Sequence, residues 1–318
     1  MPAYSQQIDN PAFKDWSIYS LERDILHMYD RPNLYAVSTT WLPLEKVEEI
    51  SQWAMADPRR HAVFLSMMDP CFIQFADHPN IHYVGTHHVV YFALLAQKYF
   101  LEYTTQELQP TTPFANKFLC YQRKPNISRQ QLYDLLQHKQ GIVTLSHTKT
   151  YDFNEAVVPH RGIHEVIFHE AESPTMMPND LWTLGNIDVW RSSFLNIVSE
   201  TAQHVWQSDR TFISEKTFKP IIGMRPFIHY GEGHFGEILR DRGFETFEED
   251  FGYDAYCKPY HDQAEEIARI VDQIDNPDAM YQKLLPKLEH NRNHMQTMAD
   301  AEWQRLRDII ADFHRLAA

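Results

Sequence analysis

Three groups of side chains in this sequence have the types and spacing to do chemistry. The first is Ser214-Glu215-Lys216, which opens a short charged stretch running through Lys219 to Gly223. Ser214 can cap a helix by accepting an orphan N–H of the first turn. Glu215 then sits where the helix dipole favours a carboxylate. Helix N–H groups, a lysine and a carboxylate at one point suit a ligand with phosphates and a ribose. The second group is the basic turn Gln122-Arg123-Lys124-Pro125-Asn126-Ile127-Ser128-Arg129, between an apolar strand and a helical stretch. Its three cations and a helix start make a seat for a diphosphate. It is not a P-loop, because the glycines and the Gly-Lys-Ser/Thr ending are missing. The third group is acidic residues at strand ends. Glu200 ends the strand Ser193–Thr201, and Asp69 follows Ala62–Ser66. Ligands of parallel sheets bind beyond such ends. Asp69 fits an Asp-Pro turn better than a site, and Glu200 equally fits an ion pair with a nearby arginine.

The elements that must carry these groups alternate between strand and helix, which predicts parallel sheets. Strands are expected at 35–41, 62–66, 81–85, 118–121, 142–146 and 227–230. Helices are expected from Leu44 to about Met55, from Val89 to Tyr103 and from Gln130 to Leu136. Gly223 reads as a helix stop. The polar segment from Glu102 to Pro113 reads as a linker. From Asp262 onward the chain is helical, interrupted at Asn276-Pro277, with helices expected over Tyr281–His290 and His294–Leu316.

Composition narrows the classes. The 318 residues allow two ordinary domains, and 43% hydrophobic content is globular. No long apolar run is present, so no membrane span is expected. The N-terminus lacks a basic-then-apolar leader. Cys71, Cys120 and Cys257 are scattered and odd in number, which argues against a disulfide framework and fits a cytoplasmic setting. A net charge of −14 disfavours general polyanion binding. The 18 histidines include no His-Glu-x-x-His helix, and no metal site is expected.

The segment Ser214-Glu215-Lys216-Thr217-Phe218-Lys219-Pro220-Ile221, followed by Pro226-Phe227-Ile228 and by Leu239-Arg240…Gly243-Phe244…Thr246-Phe247, resembles the nucleotide-sugar signature of GT-B-fold glycosyltransferases. The nearest parallels are fucosyltransferase and exostosin-like C-terminal domains and phage or bacterial glycosyltransferase-like proteins. Residues 212–247 carry the resemblance well and 115–260 loosely; the first hundred residues match nothing. The resemblance implies an α/β fold of two Rossmann-like domains facing across a cleft, with a helical C-terminal tail. An acceptor-side domain would span 1–112 and a nucleotide-sugar domain 113–318. The implied activity is metal-independent transfer of a sugar from a nucleotide-diphosphate donor to an acceptor hydroxyl, without a cofactor. Arg123, Arg129, Lys216 and Lys219 would meet the diphosphate, with Ser214 and Glu200 beside it and Glu215 on the ribose. Gln122 stands where the family has Asn. Asp69 is the expected general base, with His87 and His88 as alternatives. The other reading is a degenerate relative that binds a nucleotide or a protein. Acceptor, sugar and base are not legible.

Overall fold

The computed structural model describes residues 34–38, 44–66, 78–85, 89–90, 93, 96, 105–122, 126–145, 184, 187–200, 213–231, 234–253 and 258–316. They fall in two compact units. The first holds three parallel strands in the order β1 (Leu34–Ser38), β2 (His61–Ser66), β3 (Ile81–Gly85). Helix α1 (Leu44–Met55) joins β1 to β2. Val47, Ile50 and Ala54 recur at helical spacing, and they pack on Ala62, Phe64 and Ile81. Asn80 closes the helix end: its amide donates to the carbonyls of Ala54 and Asp57, both at 3.1 Å.

The second unit is built on β4 (Asn116–Tyr121), β5 (Gly141–Thr144), β6 (Ser193–Ser199) and β7 (Phe227–Tyr230), all parallel, in the spatial order β5-β4-β6-β7. Helix α2 (Ile127–Leu136) crosses from β4 to β5, α3 (Ile187–Ser192) leads into β6, and α4 (Glu215–Ile222) crosses from β6 to β7. All seven residues of β6 are buried, as expected for an inner parallel strand covered on both faces. The strand order reverses between β4 and β6. Open parallel sheets take ligands outside the C-terminal strand ends at such a reversal. The α/β class with parallel sheets therefore agrees with the sequence reading. Among the described residues, no helix is long and apolar enough to cross a membrane.

One local expectation holds in an unusual way, and one needs correction. Gly223 does end α4, but not through a left-handed conformation: its φ is −68°. Met224 takes the positive φ, 51°, where a side chain is uncommon. The amide of Arg225 donates to the carbonyl of Pro220 at 2.9 Å and closes this stop. Glycine is needed at 223 for room, since a Cβ there would lie 2.8 Å from the Trp190 ring. The C-terminal helices also differ. After α5 (Phe235–Asp241), α6 (Glu248–Phe251) and α7 (Tyr260–Gln273), one helix, α8, runs unbroken over Pro277–Leu316. Asn276 caps it, its side chain accepting the Ala279 N–H at 3.0 Å, and Pro277 occupies the first turn, where its missing N–H costs nothing. No glycine separates His290 from His294. Residues of α8 from Met298 onward group with the first unit.

Arg225 locks the second unit. It is 1% exposed. Its guanidinium donates to five carbonyls: Trp190 at 3.0 Å, Ser193 at 2.9 Å, Gly223 at 3.0 Å, Met224 at 2.9 Å and Leu108 at 3.2 Å. The rings of Phe114 and Tyr281 lie 5.7 and 5.5 Å from its centre. Burial lowers its pKa to about 10. Replacing it with methionine keeps the stem but strands these carbonyls. Arg225→Met is expected to lose roughly 3–5 kcal/mol in urea unfolding. A loss below about 1 kcal/mol would show that the carbonyls find other donors.

Candidate functional site

The site grows from the C-terminal end of β6. Glu200 follows the strand and is buried. One carboxylate oxygen accepts the Ser214 N–H at 3.0 Å and the Thr217 hydroxyl at 3.1 Å. The other accepts the Ser214 hydroxyl. Ser214 in turn caps α4 by accepting the Lys216 N–H at 3.4 Å. The start of α4 is thus fixed to the strand end by a single buried carboxylate. This follows from the orphan donors of a helix N-terminus, which need acceptors when buried.

Lys216 shares its ammonium among three neighbours. Glu215 Oε1 is 2.5 Å away, Ser214 Oγ 3.3 Å and Glu200 Oε2 4.0 Å. Burial alone would raise the Glu215 carboxyl, but Lys216 and Lys219 outweigh it and hold it below its usual value. Glu200 goes the other way: burial raises it, more than Lys216 lowers it. The two carboxylates are therefore not equivalent. Lys216 is mainly the partner of Glu215, as the shorter distance also says.

The sequence reading missed two members of this network, Thr217 and His229. The Thr217 oxygen lies 2.9 Å from His229 Nε2, on β7. A hydroxyl has one proton to give. With Glu200 ionised, Thr217 donates to it and accepts Nε2–H from His229. His229 stacks on Phe235 at 4.4 Å between centroids, and burial drives its pKa down to about 3. It is a neutral link in the network. Its apolar surroundings in the Phe227-Ile228-His229-Tyr230 run gave the only sequence hint.

From the β4 side, α2 reaches the same edge. Asn126 caps it, accepting the Arg129 N–H at 2.8 Å. The Arg129 guanidinium donates to the carbonyls of Ser199 and Glu200 at 3.1 and 3.2 Å, and to Ser199 Oγ at 3.3 Å. Tyr230 donates its hydroxyl to the Ser128 carbonyl at 2.7 Å. These bonds fasten the first turn of α2 over the ends of β6 and β7. Arg129 thus meets Glu200 through its main chain. Of the expected residues, Arg129, Glu200, Ser214, Glu215 and Lys216 gather at one sheet edge. Lys219, one turn further along α4, is buried and acts on Glu215. Asp69, His87, His88 and Arg123 lie outside the described residues. No group of three or more metal-ligating side chains occurs among the described residues.

His229 supplies a test. Unfolding lets it bind a proton between about 6.5 and about 3. The unfolded chain then holds more protons, so stability falls as pH falls through that window. Between about pH 7.5 and 5.5 the wild-type protein is expected to lose about 1 kcal/mol more than His229→Gln, by urea unfolding. Parallel pH slopes for the two proteins would rule out a buried neutral His229.

Neither protein-family models, nor curated proteins, nor solved structures match this chain.

Proposed function

We propose that the protein is a glycosyltransferase that uses a nucleotide-diphosphate sugar, bound at the edge formed by β4, β6 and the start of α4. One observation carries the reading: Ser214 and Lys216 converge on Glu200 at the C-terminal end of β6, with Glu215 paired to Lys216, beside the reversal of strand order. That is where a doubly wound sheet binds nucleotides. The sequence resemblance supplies the reaction class. In this reading Lys216, with 26% of its side chain exposed, turns from Glu215 to the diphosphate and stabilises the charge that develops on the leaving group. Loss of one such donor costs roughly 10²–10³ in kcat. Arg123 adds a second cation. Glu215, released from Lys216, accepts ribose hydroxyls while Lys219 continues to balance its charge. Arg129 contributes positive potential rather than a direct bond, since its guanidinium is engaged by carbonyls. Asp69 is the proposed base that takes the proton of the acceptor hydroxyl. The transfer needs no metal.

The second reading is a relative that binds a nucleotide or a protein without turnover. It is favoured by the same geometry seen differently: Lys216 lies against two carboxylates, and Arg129 is committed to the main chain.

Thermal shift against UDP, GDP, ADP, CDP and dTDP, with and without divalent metal, separates these outcomes. Ligand at a hundredfold excess over Kd stabilises by about 2.7 kcal/mol. The expected result is a metal-independent shift with one nucleotide, reduced in Lys216→Gln. Hydrolysis or transfer from the matching nucleotide sugar then distinguishes the enzyme from a binding relative. No shift with any of the five would remove the nucleotide reading.

A further inference from the structure

Gln122 is 1% exposed and lies one residue beyond β4. Its main chain is satisfied: the N–H donates to Thr144 Oγ1 at 3.0 Å, and the carbonyl accepts the Thr144 hydroxyl at 3.0 Å. Its side-chain nitrogen donates to Cys120 Sγ at 3.5 Å. Burial raises the Cys120 thiol to about 12, so the sulfur stays protonated and neutral. The side-chain oxygen has no partner.

Among the described residues, three buried side-chain oxygens lack a partner: Gln122 Oε1, Ser193 Oγ and Asp278 Oδ1. Ser193 opens β6, at the opposite edge of the sheet, and Asp278 lies in the first turn of α8. Gln122 alone is at the C-terminal edge. It is also at the order reversal. Leu119 pairs with Asn196 across β4 and β6; carried on, that register sets Gln122 opposite Ser199, next to Glu200. The two strand ends that flank the reversal therefore carry a fully bonded carboxylate on one side and an unbonded amide oxygen on the other. A buried acceptor without a donor is a cost that folding does not explain.

We propose that Gln122 Oε1 is held for a hydrogen-bond donor on the nucleoside half of the ligand, and so helps set which nucleotide is accepted. This rests on the nucleotide reading above. Phosphate oxygens at neutral pH are acceptors and cannot satisfy it. On a nucleoside diphosphate the donors are the ribose O–H groups and the base N–H groups. A site with a buried acceptor of this kind rejects analogues that lack the matching donor. Gln122 is then a specificity residue that binds ligand and takes no part in bond breaking.

The test is Gln122→Met, which keeps the length and removes the acceptor. Binding of UDP, GDP, ADP, CDP and dTDP is measured by calorimetry, with inorganic pyrophosphate as the probe that has no nucleoside. For the nucleotide that the wild-type protein binds, affinity is expected to fall about tenfold, the worth of one hydrogen bond to a buried group. Pyrophosphate binding and the thermal midpoint of the free protein are expected to hold or rise, because an unmet acceptor has gone. Unchanged nucleotide affinity in a folded Gln122→Met protein overturns the assignment and gives the oxygen to ordered water. The wild-type protein provides a second arm that does not depend on the variant folding. Among 2′-deoxy, 3′-deoxy and base N-methyl analogues of the bound nucleotide, one is expected to lose about tenfold, and to lose nothing further in Gln122→Met. Which analogue loses affinity names the donor as ribose or base; equal binding of all of them overturns the proposal. Absence of binding by all five nucleotides to the wild-type protein is a different failure, and it sinks the nucleotide reading itself.

Discussion

The second unit depends on a buried positive charge with no carboxylate paired to it among the described residues. Arg225 is solvated by five peptide carbonyls and two aromatic rings. Those carbonyls come from the segment before β4, from α3, from the start of β6 and from the turn after α4. A planar guanidinium with five N–H donors can serve such a spread of acceptors, whereas an ammonium cannot. Arg225 also pins the left-handed Met224, because its guanidinium donates to the Met224 carbonyl. The turn it fixes sets where α4 ends and β7 begins.

Through α4 that constraint reaches the site. The far end of the same helix is held by Glu200, and its third residue, Thr217, links Glu200 to His229 on β7. The helix is only eight residues long, and Pro220 removes one of its internal hydrogen bonds. So short a helix has little stability of its own. Its geometry comes from the buried groups at its two ends. The result is a lysine whose position is set by the fold but whose charge is still partly exposed to solvent. Arg129 gives the other side of the edge similar rigidity, by tying α2 to the ends of β6. Rigid support beside a partly exposed lysine is what the binding proposed for this edge would need.

Much of this framework was legible in the sequence. Strand and helix alternated with clear periodicity, so β2, β3, β4, β7 and α1 lie close to their expected spans. Ser214 announced its cap, because capping is a local interaction between a side chain and the next few amides. The sequence reading also put Glu200, Glu215 and Lys216 at strand and helix ends. It placed the break at Asn276-Pro277 correctly, where the cap and first residue of α8 stand, but it wrongly split α8 between His290 and His294.

What the sequence determined by itself is therefore the local grammar: parallel α/β order, caps, stops and the charge of the short helix. Only the tertiary structure decided what those residues do for one another. Glycine at 223 is required by the Trp190 ring, 33 positions earlier. Glu200 meets Thr217 and, through it, His229, and Arg225 reaches back to the Leu108 carbonyl. Gln122 reads from sequence as a small departure from a family pattern, and only burial reveals its unmet oxygen. The physical reason is the same in each case. Desolvation makes a polar group choose a partner, and the partner is set by which strand ends the sheet brings together, not by distance along the chain.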